Sequence, residues 1–130
     1  MVHGLMSVLT TSRIATFIAA TDPARSREFY ENVLGFEVVS DDQWATEFDC
    51  NGTSLRMQKG VEYEPQVFTV LGWHVDDIDA AMTDLRERGV VFEQYPWMAP
   101  ESNGVMEFPG GAKVAWFKDP DGNVLSLDQY

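Results

Sequence analysis

The order of elements in this 130-residue chain occurs twice, and that period constrains the fold more than any other feature. Helix-closing Gly35 and Gly89 lie 54 residues apart, and helix-opening Asp22 and Asp77 lie 55 apart. In the first copy, Arg13 to Ala20 alternates as a strand, with Ile14, Thr16 and Ile18 on one face and Ala15, Phe17 and Ala19 on the other. Thr21-Asp22-Pro23 then opens a helix, because a capping carboxylate precedes proline at the first helical position. Ser26, Phe29, Tyr30, Val33 and Leu34 follow at helical spacing until Gly35. Phe36 to Ser40, Trp44 to Cys50 and Thr53 to Gln58 read as three strands, separated by turns at Asp41-Asp42 and Asn51-Gly52.

The second copy reads the same way. Val67 to Val75 is a strand, and Asp76-Asp77 opens a helix with Ile78, Ala81, Met82 and Leu85 on one face. Val90 to Gln94, a segment near Val105 to Phe108, Lys113 to Phe117 and Val124 to Gln129 supply strands. Gly110-Gly111 and Asp119-Pro120-Asp121-Gly122 are turns. Strand-helix-strand-strand-strand, twice, is one architecture duplicated. The expected fold is therefore α+β, with two tandem βαβββ modules forming a curved mixed sheet around a cleft. A single domain is expected over residues 12–130, with module 1 at 12–58, a linker at 59–66 and module 2 at 67–130. Each module covers one face of its sheet with one helix and leaves the other bare. Two bare faces curled together make a cleft for a small ligand.

Composition narrows the partners. Nine basic residues against 21 acidic ones give a net charge of −12, which excludes nucleic acid and anionic membrane as expected partners. Met1 to Thr11 reads as a loose leader, and no apolar run approaches the ~18 residues of a membrane span. Cys50 is the only cysteine, which rules out an intrachain disulfide and a cysteine zinc cluster. Cytoplasmic localisation is the expectation.

Three segments carry a family resemblance. Arg25-Ser26-Arg27-Glu28-Phe29-Tyr30 leads to Leu34-Gly35-Phe36, His74-Val75-Asp76-Asp77-Ile78 runs to Arg88-Gly89-Val90, and Trp116-Phe117-Lys118-Asp119-Pro120-Asp121-Gly122-Asn123 precedes the last strand. Together they resemble the vicinal oxygen chelate superfamily, which includes glyoxalase I, extradiol dioxygenases, and fosfomycin- and bleomycin-resistance proteins. The resemblance implies four metal-ligand positions, which fall here at Ala15, Arg56, Val70 and Ser126. A methyl group, a guanidinium, an isopropyl group and a neutral hydroxyl do not suit a divalent ion. No metal and no cofactor are therefore expected, and neither is classical metal-dependent glyoxalase I activity.

Alternation then predicts the cleft lining. Phe17 and Arg56 come from module 1. Phe68, Val70, Gly72, His74 and Ser126 come from module 2, with Thr69, Leu71, Trp73 and Val75 turned toward the helix. Arg56 is either a fork for a ligand carboxylate or phosphate, or a structural partner of a neighbour such as Glu47. His74 is either a general base or a residue packed at a helix start. Ser126 is a candidate hydrogen-bond donor. Trp97, in Tyr95-Pro96-Trp97-Met98-Ala99-Pro100, either stacks on a ligand or contacts a second subunit, and Pro96 to Gly111 is a candidate flap. Asp119 to Gly122 is read as a turn, without the spacing of a calcium loop.

The expected ligand-binding set is thus Phe17, Arg56, Phe68, His74, Trp97 and Ser126. The expected function is a metal-free cleft that binds a small, partly aromatic or charged organic molecule, in antibiotic or metabolite sequestration, with a homodimer as the expected assembly. The alternative is a lyase- or dioxygenase-related enzyme with relocated catalytic groups.

Overall fold

The computed structural model describes residues 6–130, so the first five residues of the expected leader, His3 among them, lie outside the described residues. Module 1 contains β1 (Ala15–Ala20), α1 (Pro23–Glu28), β2 (Glu37–Asp41), β3 (Ala45–Cys50) and β4 (Thr53–Lys59). Module 2 contains β5 (Thr69–His74), α2 (Ile78–Glu87), β6 (Val105–Glu107), β7 (Lys113–Lys118) and β8 (Val124–Gln129). The two four-stranded mixed sheets have equivalent orders, β1-β4-β3-β2 and β5-β8-β7-β6. In each, the first strand runs parallel to the last and the remaining pairings are antiparallel.

Local chemistry explains the boundaries. Asp22 caps α1 by accepting from the Arg25 amide at 3.3 Å, with Pro23 next in the chain. Asp77 caps α2 through the Ala80 amide at 3.1 Å, and Ile78 and Met82, four apart, bury its inner stripe. Asn51 and Gly52 both take positive φ, 51° and 90°, as the tight turn between β3 and β4 requires.

Two expectations change. The first helix does not continue as regular α-helix to Leu34. After Glu28 it widens into one turn at Phe29–Val33, in which the Leu34 amide bonds back to the Phe29 carbonyl five residues earlier. The expected strand at Val90 to Gln94 is also absent. Only Phe92 forms a bridge, to Phe117. That segment shares one edge of β7 with β6, which already occupies Lys113 to Ala115 and leaves pairing room only beyond them.

The core lies on the helix side of each sheet. Ile18, Ala20, Leu55, Met57 and Phe48 pack with Tyr30, while Ala115, Phe117, Leu125 and Leu127 pack with Ile78 and Met82. A polar network joins the modules. Asp119 is only 5% exposed. Its carboxylate accepts from the Tyr30 hydroxyl at 2.7 Å, from Asn123 Nδ2 at 2.8 Å and from the Asn123 amide at 2.9 Å. Asp121 reaches the other way, accepting from the Thr21 amide at 2.9 Å and from the Ser26 hydroxyl. The Tyr63 hydroxyl, from the linker, lies 2.7 Å from the Ala19 carbonyl and 2.9 Å from Asn123 Oδ1.

Burial pushes the Asp119 carboxyl above the usual range, against the opposing pull of its Asn123 and Tyr30 bonds. Burial also acts on Asp121, but the Ser26 and Thr21 bonds outweigh it and hold that carboxyl below the usual range. Tyr30→Phe removes one donor from a buried carboxylate and is expected to cost about 1–3 kcal/mol, read from urea denaturation. A carboxyl with a depressed folded pKa stabilises above its unfolded value and loses that contribution as pH falls through the folded one. Asp121→Asn should therefore destabilise at neutral pH and flatten the loss of stability on acidification below about pH 4.

Candidate functional site

The helix-free face of module 1 carries a polar centre beside an aromatic one. Phe17 on β1 is the register partner of Arg56 on β4, which in turn opposes Glu47 on β3. Arg56 Nη1 donates to Glu47 Oε1 at 3.1 Å, and the Ser54 hydroxyl donates to Glu47 Oε2 at 2.9 Å. The structural partner considered for Arg56 is thus present. The remaining guanidinium nitrogens have no protein acceptor among the described residues. Phe17 remains 55% exposed, a large apolar side chain open to solvent.

The helix-free face of module 2 is built differently. A bulge between Thr69 and Leu71 places Thr69 opposite Val124 and Leu71 opposite Leu125. This shifts the parity of β5, so Thr69 stands on the bare face instead of turning toward the helix. Its hydroxyl accepts from Trp116 Nε1 at 3.1 Å. Because β8 lies between β7 and β5, the Trp116 side chain must cross β8 to make that bond. Ser126 beneath it is only 7% exposed. Gly72, its register partner, is needed for space, since a Cβ there would meet Ser126 Oγ at 2.6 Å.

Trp116 also anchors an aromatic group. Tyr95 and Trp97 stack at 5.5 Å with planes 9° apart, and each meets Trp116 edge-on, at 6.0 and 5.9 Å. Trp97 nevertheless keeps 60% of its surface open. Gln94 holds the following segment in place, donating to the Ala99 carbonyl at 3.0 Å and accepting from the Gly104 amide at 3.0 Å. That stitching closes the base of the segment expected to act as a flap.

At the end of the sheet, His74 Nδ1 is held by Asp128 and the ring lies 5.4 Å from that of Tyr130. The imidazole therefore has one nitrogen occupied, and the other has no hydrogen-bond partner among the described residues. Phe68 is 61% exposed.

The sequence-derived residues thus fall into separate groups: Phe17 with Arg56, Trp97 beside Ser126 through Trp116, His74 at the sheet end, and Phe68 before β5. No hydrogen bond joins the module 1 group to the module 2 groups among the described residues. Sequence reasoning missed Tyr95, Thr69 and Trp116. Trp116 was legible from alternation with core residues Ala115 and Phe117. Thr69 was not, because the bulge inverts its parity.

The four positions that the resemblance gives to metal ligands do not fit a divalent ion, on their own chemistry. Arg56 brings a cation to the place, and Ala15 and Val70 offer no donor atom. Among the described residues, no group of three or more His, Cys, Asp or Glu side chains is placed to share an ion. Cys50 is no nucleophile at neutral pH, because burial, then the neighbouring Asp49, pushes its thiol up to about 11.

Comparison with known proteins agrees with this architecture. The sequence model of the Glyoxalase/Bleomycin resistance protein/Dioxygenase superfamily matches residues 12–127. The uncharacterized protein YraH of Bacillus subtilis (strain 168) is 27% identical over 125 residues, covering 85% of this chain and 91% of its own. A crystal structure of a superfamily member from Sphaerobacter thermophilus DSM 20745 superposes with a TM-score of 0.73 at 28% identity, covering 95% of this chain and 100% of that one. TnmS3, an antibiotic binding protein from Streptomyces sp. CB03234, superposes with a TM-score of 0.67 at 26% identity, covering 98% of both chains.

The contact between Gly72 and Ser126 gives a direct check of this face. Gly72→Ala should cost about 1–3 kcal/mol through overpacking, and adding Ser126→Gly should restore most of the loss. Thermal unfolding of the two single variants and the double variant measures that coupling.

Proposed function

Because the chain belongs to the Glyoxalase/Bleomycin resistance protein/Dioxygenase superfamily, we propose that it is a metal-free binding protein for a small, partly aromatic or charged organic molecule. Sequestration of an antibiotic or metabolite is the role this reading supports. The observation that carries it is the aromatic group of Tyr95, Trp97 and Trp116. A tryptophan ordered by two ring contacts yet left largely open is a pre-organised surface for a planar ring. Phe17, Arg56, Phe68, His74 and Ser126 complete the proposed ligand set, with the free Arg56 nitrogens serving an acceptor group on the ligand. The similarity to TnmS3, itself an antibiotic binding protein, supports the same reading.

A homodimer belongs to this proposal. Phe17 and Trp97 are large apolar side chains exposed on a single chain, and two helix-free faces brought together would remove them from water. A cytoplasmic location suits the unpaired thiol of Cys50.

One observation favours a second reading, that of a lyase- or dioxygenase-related enzyme with relocated groups. Asp128 orients His74 and leaves its other ring nitrogen available, as a general base requires.

Tryptophan fluorescence titrated with a panel of planar aromatic compounds should show saturable quenching, and Trp97→Ala should weaken it about tenfold. Silence across the panel would sink the binding proposal. Sedimentation velocity should give a dimer, shifted toward monomer by Phe17→Asp. Methylglyoxal with glutathione should not turn over, and turnover abolished by His74→Ala would establish the enzyme reading instead.

A further inference from the structure

On the helix-covered side of module 2, a pocket of about 250 Å³ opens along the seam between the modules and reaches His74 at the sheet end. Leu34 and Phe36 of module 1 form one wall, and Trp73, Leu85, Phe117 and Leu127 of module 2 form the other. The aromatic side chains are already ordered: Phe36 stacks on Trp73 at 5.8 Å with planes 14° apart, and Trp73 on Phe117 at 6.2 Å and 19°. Apolar cavities of about 150 Å³ accept benzene, so this space suits one aromatic ring with a short substituent.

The charge at the mouth selects among such molecules. Asp84 lines the pocket and uses Oδ1 to accept from Arg88 Nε at 3.2 Å, while its Oδ2 has no protein donor among the described residues. The other polar lining residue, His74, is already bound to the Asp128 carboxylate. We propose that this seam pocket is a second binding site, which takes a single-ring aromatic amine with its ring between the module walls and its ammonium on Asp84.

The pocket shares His74 with the proposed open-face set, so the test reads Trp73 and Leu85, which belong to the pocket alone, against Trp97, which belongs to the open face. The full chain, labelled with ¹⁵N, is titrated with phenethylamine and, in parallel, with phenylacetate. Saturable shifts of the Trp73 indole N–H and the Leu85 amide are expected for the amine, with the Trp97 indole unmoved and phenylacetate at least about tenfold weaker. Asp84→Asn, a surface change, should weaken amine binding about tenfold, and Leu85→Trp should abolish it by filling the space. Equal binding of the acid would overturn the assignment, as would shifts confined to Trp97. Absence of saturable shifts at Trp73 would also overturn it, and contacts from a second copy to Leu34 and Trp73 would identify that copy as the occupant.

Discussion

The turn before β8 holds the molecule together. Asp119 and Asp121 are two residues apart and point their carboxylates to opposite duties. Asp119 faces inward, where backbone and side-chain donors of its own turn and the Tyr30 hydroxyl compensate its burial. Asp121 faces the start of α1, where it gathers the Thr21 and Ser26 donors. Pro120 and Gly122, at φ 93°, let the chain reverse tightly enough for both. Since the two modules share few other polar links among the described residues, the geometry between their sheets rests on this turn. A buried carboxylate is a costly way to join them, but it accepts only one arrangement of donors and so fixes the orientation.

That orientation matters because the bare faces are not alike. The module 1 face is organised by cross-strand charge, with Glu47 shared between Arg56 and Ser54. The module 2 face is organised by one tryptophan laid across a strand and pinned by a threonine that a bulge has turned toward it. The duplicated architecture therefore offers two half-sites of different chemistry. The inversion at Thr69 makes the difference: without the extra residue in β5, its hydroxyl would face α2 and the Trp116 indole N–H would lose that acceptor.

The repeat, the caps and the Asn51-Gly52 turn were legible because each is a local rule acting on neighbouring residues. Asp22 and Asp77 cap as their positions imply, and Phe17 and Arg56 share a face as strict alternation requires. What was not legible came from competition between segments distant in sequence. Val90 to Gln94 has strand composition, yet β6 claims most of the available edge first. The widening of the first helix spans only Phe29–Val33, a single turn too short for apolar spacing to reveal. The partners of Trp116 depended on a strand 47 residues away.

The acidity of the chain takes on a different meaning once its carboxylates are located. Asp22 and Asp77 cap helices, Asp42 accepts from the Trp44 and Ala45 amides, Asp49 accepts from the Gly52 amide, and Asp41 binds Arg27 and Lys59. Asp119 and Asp121 join the modules. Much of the charge of −12 is thus engaged in holding turns and corners and is not directed at a ligand. On the open faces the nearest charges are already paired, Arg56 with Glu47 and Lys118 with Glu93 at 3.4 Å. Recognition there must come from ring stacking and a few hydrogen bonds, with net charge contributing little. At the seam pocket Asp84 is likewise paired, with Arg88, and only its second oxygen is left for a ligand.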